Sequence, residues 1–175
     1  MLTCMGMIYS CEKYSQSGPP TNPEEVTVPF QATFTGKNIN SGSKGVEECI
    51  SGYTHITEVA NGSGSQVGFS TYYADFCFNN LDLQPGYSYI KTQCGDMLYI
   101  SYQGKTCLAL GDSDDDSDHP DELCCWNVPF VVLGGTGMFE GAAGEGMTDD
   151  YISYSDKVFH HSWKGTLTLN SSKIK

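Results

Sequence analysis

The sequence predicts an all-β protein, an eight-stranded antiparallel up-and-down β-barrel. Three observations carry that expectation. Apolar and polar residues alternate with period two in one segment after another, the signature of strands buried on one face. The composition, with 20 glycines, 11 tyrosines and frequent threonines, suits strands and turns. No segment holds a convincing helical period over more than two turns. Eight strands with short connections favour closure, because a closed sheet leaves no long edge exposed.

The N-terminal piece has a different character. Met1 to Tyr9 is apolar and uncharged, and a polar, proline-bearing stretch follows, "SQSGPPTNPEE". The stretch Ile8-Tyr9-Ser10-Cys11 resembles the end of a bacterial lipoprotein signal peptide, in which a small residue precedes the cysteine to be lipidated. No basic region precedes it and the apolar segment is short; a start site placed too far downstream explains both. The alternative is a frayed segment with two ordinary cysteines, Cys4 and Cys11. Residues 1–25 are therefore expected to be a signal remnant and flexible tether, and residues 26–175 the barrel domain.

From Val26 the alternation sets in. In "VTVPFQATFTG", Val28, Phe30, Ala32 and Phe34 share one face, and Thr27, Gln31, Thr33 and Thr35 the other. Further strands are expected over Val46–Val59, Gln66–Phe78, Tyr87–Gln93, Met97–Gln103, Trp126–Leu133, Phe139–Ile152 and Val158–Leu169. "ANGSGS", "NNLDLQPG" and "CGD" read as turns between them. In "VFHHSWKGTLTL", Phe159, His161, Trp163, Leu167 and Leu169 share a face, and His160, Ser162, Lys164 and Thr166 the opposite one. The glycines of "VPFVVLGGTGMFEGAAGEG" do not form a phosphate loop, since the third glycine of that pattern is misplaced and no helix follows. They read instead as a tight turn followed by a strongly coiled strand.

These segments carry a resemblance. "VPF-ATFTG", "LYISYQG", "GGTGMFEGAAGEG" and "WKGTLTL" together resemble the allene oxide cyclase-like barrel family, over about Val26 to Leu169. That family includes plant allene oxide cyclases, dirigent proteins and bacterial spirocyclases. The resemblance implies the barrel; the cyclase active-site constellation has no residue-by-residue counterpart in this chain.

Charge and cysteines narrow the class. Nine basic residues against 21 acidic ones give a net charge of −12, which repels nucleic-acid phosphates and anionic membranes alike. No apolar run approaches the roughly 20 residues of a spanning helix, so membrane contact is expected only through a lipid anchor. Eight cysteines without a CxxC pair or a zinc-type Cys/His spacing favour disulfides and an oxidising compartment. Cys49, Cys77, Cys94, Cys107, Cys124 and Cys125 are expected to form three bridges, with Cys107 joined to Cys124 or Cys125. The protein is then periplasmic or a cell-surface lipoprotein, and otherwise secreted. Both a monomer and a homo-oligomer fit the sequence.

Few residues suggest chemistry. No Gly-x-Ser-x-Gly elbow occurs. His161 lies on the expected inward face, where a hydrogen-bonded core role competes with a ligand or acid–base role. Asp75 and Glu145 are further candidates for inward carboxylates, and Tyr72, Tyr73, Tyr99, His161 and Trp163 for the lining of a cavity. An eight-stranded barrel is either filled by side chains or holds one small ligand. The segment "GDSDDDSDHPDE" packs seven carboxylates into twelve positions. Asp112, Asp114, Asp116, Asp118, Asp121 and Glu122 could cradle Ca2+, which takes six to eight oxygens; the competing reading is a solvated acidic loop. Three functions follow as expectations. The leading one is an exported, surface-anchored protein holding a small, mainly apolar ligand in the barrel, without catalysis. The others are a cyclase or isomerase acting inside the barrel, and a structural or adhesive protein with a calcium-binding loop.

Overall fold

A computed structural model describes residues 24–41, 49–79, 82–108 and 122–173, without the side chains of residues 40, 41, 107, 108, 122 and 123. Nine antiparallel strands lie among the described residues: β1 (Glu25–Ser41), β2 (Thr54–Gly64), β3 (Gly68–Phe78), β4 (Asp82–Thr92), β5 (Met97–Leu108), β6 (Glu122–Trp126), β7 (Pro129–Gly135), β8 (Ala143–Ser153) and β9 (Phe159–Asn170). They close into the expected barrel of eight staves, because β6 and β7 share one. Both pair with β5 on one side and β8 on the other, β6 beside Cys107 and β7 beside Ser101. Closure runs β1–β2–β3–β4–β5, then β6/β7, β8, β9 and back to β1.

The shared stave is interrupted where Pro129, which has no N–H, follows Asn127 and Val128. Thr148 of β8 repairs the interruption. Its buried hydroxyl accepts from the Val128 N–H at 3.2 Å and donates to the Trp126 carbonyl at 3.3 Å, while its own N–H donates to Val128. The backbone there is satisfied without ladder pairing.

The inward phase of β1 and β9 follows the sequence pattern: Phe30, Ala32, Phe34, Phe159, Trp163, Leu167 and Leu169 are buried. Aromatic rings fill the space between. Phe30 lies opposite Gly165, Gly165 opposite Gly146, and Gly146 opposite Phe130, so two glycines stand between two phenylalanines across four strands. A Cβ on Gly146 would come within 2.5 Å of the Phe130 ring, so glycine there makes the room that the ring occupies. The Phe30 and Phe130 rings then meet edge to face at 6.1 Å.

Several boundaries differ from the sequence expectation. β2 begins at Thr54 rather than Val46 and runs through "ANGSG" to Gly64. Gly62 and Gly64 are not turn residues: a Cβ at Gly62 would strike the Thr33 carbonyl, so glycine lets β2 lie close against β1. The turn falls at Ser65–Val67, with Gln66 in the left-handed region at φ 67°. β4 takes in "DLQPG" as strand, with a register irregularity between Leu83 and Gly86 where proline is tolerated. Phe139 does not open β8, since Gly137–Phe139 form a single 3-10 turn.

The cysteines pair in part as expected. Cys49 and Cys77 form a disulfide across a separation of 28 residues, and Cys94 and Cys125 each take part in a further bridge. Cys124 corrects the expectation of six bridged cysteines, for it is a buried thiol. Strand alternation is the reason: on β6, Cys124 points into the core while Cys125 points outward opposite the backbone of Cys107. The Cys107 side chain and Cys11 lie outside the described residues. Removing the Cys49–Cys77 bridge by Cys49→Ser with Cys77→Ser is expected to cost about 3 kcal/mol in denaturant unfolding. An unchanged midpoint and slope would refute that contribution. Peptide mapping without reduction is expected to recover Cys107 linked to Cys125 and Cys124 as a thiol.

Candidate functional site

The structure brings titratable groups together in the barrel interior. His161 points inward from β9, and its Nε2 lies 2.8 Å from Oε1 of Glu58 on β2. β1 separates those strands, with Asn38 opposite Glu58 and Phe34 opposite His161. The inward residue of β1 between them is Gly36, which offers no side chain to block the crossing. On the other side of the imidazole, Nδ1 lies 3.2 Å from Oδ2 of Asp150 on β8, an ion-pair contact off the line of a hydrogen bond. Oδ1 of Asp150 accepts from the Trp163 indole N–H at 2.8 Å. The chain Glu58–His161–Asp150–Trp163 thus joins three strands inside the core.

Burial sets the electrostatics. Glu58 is fully buried, and its Oε2 has no hydrogen-bond partner among the described residues. For His161, burial alone would lower the pKa, but the carboxylates of Asp150 and Glu58 reverse that and raise it to about 10. The imidazole is therefore a cation at neutral pH. Beside it the Tyr72 hydroxyl donates to the Tyr102 hydroxyl at 3.4 Å. Burial pushes both phenols up, well above their ordinary range, and the Glu58 and Asp150 carboxylates push the same way, so both stay neutral. A cavity of about 20 Å³ adjoins this cluster, lined by Tyr72, Tyr102, Trp126, Asp150 and His161 among others. That is room for about one water molecule.

The larger spaces lie on the outer wall. Val59, Tyr73, Tyr89 and Tyr99 stand in register across β2, β3, β4 and β5, all pointing outward. Tyr73 and Tyr89 stack at 4.7 Å. Ile39 and Leu133, exposed by 55% each, flank the row, as does Tyr87. Together they wall a groove of about 670 Å³. A second groove, of about 690 Å³, adjoins it through Tyr73 and is lined by Thr33, Thr35, Asn61, Ser63, Thr71 and Lys91, with Phe69 exposed beside them.

The expected site residues are thus divided. Tyr72, His161 and Trp163 are interior and in contact, with the Tyr72 ring 5.0 Å from each of the other two. Tyr73 and Tyr99 belong to the outer groove. Asp75 and Glu145 do not point inward: Asp75 is exposed and bonded to His55 at 2.6 Å, and Glu145 is exposed on β8. Their neighbours explain this, since Tyr72, Ala74 and Phe76 take the inward phase of β3, and Thr148 and Asp150 that of β8. The interior carboxylates are Glu58 and Asp150, which sequence reasoning passed over. Glu58 falls in phase with Ile56 and Ala60, a polar residue on an apolar face, and that is the signal that could have found it. Asp112, Asp114, Asp116, Asp118 and Asp121, with the Glu122 side chain, lie outside the described residues. No family model matches the chain, and no curated protein or solved structure does either.

His161 binds its proton more tightly in the folded chain than in the unfolded one, where its pKa is near 6.5. Its contribution to stability is whole below pH 6.5 and is lost as pH rises through about 10. The difference in melting temperature between the native protein and His161→Gln should therefore be constant below pH 6 and shrink steadily above pH 7. A difference that stays flat to pH 10 would contradict the raised pKa.

Proposed function

We propose that this protein is a non-catalytic binding protein that holds a small, mainly apolar molecule in the tyrosine-walled groove on the outside of the barrel. The groove carries the reading. Its volume of about 670 Å³ falls in the range of small-molecule sites, and its walls are chiefly apolar or aromatic. Tyr73 and Tyr89, stacked on each other, and Tyr99 next in the row offer rigid aromatic surface at low cost in side-chain entropy. A cyclase or isomerase reading would place the substrate beside His161, where the adjoining cavity measures about 20 Å³. Chemistry there would require the aromatic core to open.

Export is part of the proposal. The Cys49–Cys77 disulfide is compatible with an oxidising compartment. The resemblance to allene oxide cyclase-like barrels is in keeping with a scaffold that supports binding as readily as catalysis.

Nile red, an uncharged apolar dye, tests the groove. It should bind with a blue-shifted emission, and Tyr89→Ala with Tyr99→Ala should weaken binding about tenfold or more. The interior change Tyr102→Phe should leave binding unaltered. Dye binding that is insensitive to the outer tyrosines, or lost in Tyr102→Phe with the fold intact, would overturn the proposal.

A further inference from the structure

The two grooves of the outer wall lie side by side, and their chemistry differs row by row. One row of outward residues is Val59, Tyr73, Tyr89 and Tyr99. The next row, two residues along each strand and so about 7 Å away, is Thr35, Asn61, Thr71 and Lys91. Tyr73 belongs to the lining of both grooves. An aromatic trough therefore runs beside a trough of hydroxyl and amide groups, with no strand between them.

We infer that the ligand is an amphiphile with a neutral, polyhydroxylated head: an alkyl or aryl glycoside, its aglycone on the tyrosines and its sugar along the threonine row. The inference rests on the binding function proposed above and names its ligand class. Thr35, Asn61 and Thr71 of the polar row both donate and accept, as neighbouring sugar hydroxyls require of their partners, while Lys91 donates only. The Thr71 hydroxyl donates to Oδ1 of Asn61 at 3.0 Å, which leaves the Asn61 amide N–H groups for an acceptor in the groove. Phe69, 67% exposed, and Tyr73 put aromatic surface beside the polar row, against which the C–H face of a pyranose can pack. A carboxylate head fits less well. Lys91 is the one cation lining the polar groove among the described residues, and the chain's net charge of −12 repels anions.

Calorimetry of the full chain with octyl glucoside, kept below its micelle-forming concentration, decides the matter against octanol and octanoate. Octyl glucoside should bind about tenfold or more tightly than octanol, the scale of one or two net hydrogen bonds. Asn61→Val with Thr71→Val should erase that advantage and leave Nile red binding intact. Should the pair fail to fold, Thr71→Val alone is read in the same way, with a smaller loss. Equal affinity for octanol and octyl glucoside overturns the inference. Octanoate binding as tightly as the glucoside, and weakened by Lys91→Gln, overturns it in favour of an anionic head. Nile red bound without a glucoside preference removes only this inference; no Nile red binding at all removes the underlying function with it.

Discussion

The contact between the Glu58 carboxylate and the His161 imidazole is the constraint on which the rest of the barrel turns. A carboxylate with no exposed surface is tolerated only when charge and hydrogen bonding compensate it. Here the compensation comes from a residue 103 positions away in sequence, across a strand that offers Gly36 at the crossing. Replacing such a pair by apolar residues is often neutral for stability, but removing one partner alone costs roughly 3–5 kcal/mol. The trio therefore acts on uniqueness as much as on stability. A one-residue slip of β2 or β9 would turn Glu58 or His161 to the outside and strand the other. Asp150 extends the same demand to β8, and its bond from Trp163 fixes the largest fully buried side chain among the described residues.

That fixed ring organises the packing that closes the interior. Trp163 is met by Phe34 at 6.0 Å, Phe130 at 5.6 Å and Tyr72 at 5.0 Å. Phe130 reaches it because Gly146 and Gly165 vacate the wall, and β7 carries Phe130 inward because Thr148 holds the stave together around Pro129. The ion trio, the aromatic core and the interrupted stave are thus one arrangement. Its consequence is functional: the cavity beside His161 is of water size, while the large concave surfaces lie outside.

Much of this was legible from alternation alone. The phase of "VTVPFQATFTG" and "VFHHSWKGTLTL" placed Phe30, Phe34, His161 and Trp163 inward, and a two-residue period leaves no other solution. The glycine-rich segments were not legible in the same way. "ANGSGS" has turn composition, yet Gly62 and Gly64 are strand residues whose missing side chains let β1 come close, a fact about a partner strand. Glu145 sits among glycines that carry no phase, so its direction could not be read, whereas Asp75 between Ala74 and Phe76 could have been assigned outward. The interior trio was half visible. His161 stood out because aromatic neighbours marked its face, while Glu58 and Asp150 were hidden by the habit of assigning carboxylates to solvent. Cys124 follows the same logic, since adjacent cysteines on a strand cannot both face a partner on the outside.

The distribution of charge connects the fold to the proposed binding surface. The chain carries 21 acidic residues, and seven of them fall in the run from Asp112 to Glu122. Few of the described carboxylates line the two outer grooves. Around the tyrosine groove the carboxylates are Asp75, held by His55, and Glu58, turned into the core; around the polar groove no carboxylate appears among the lining residues. Surfaces that bind by contact are commonly poor in charged residues and rich in tyrosine at their centre, with charge left to the rim. An acidic protein that leaves one face nearly neutral keeps its solubility while sparing a ligand the cost of stripping water from ionised groups. The burial of Glu58 belongs to the same division: the carboxylate that β2 carries at this level of the wall is directed inward, and His161 is what makes that direction tolerable.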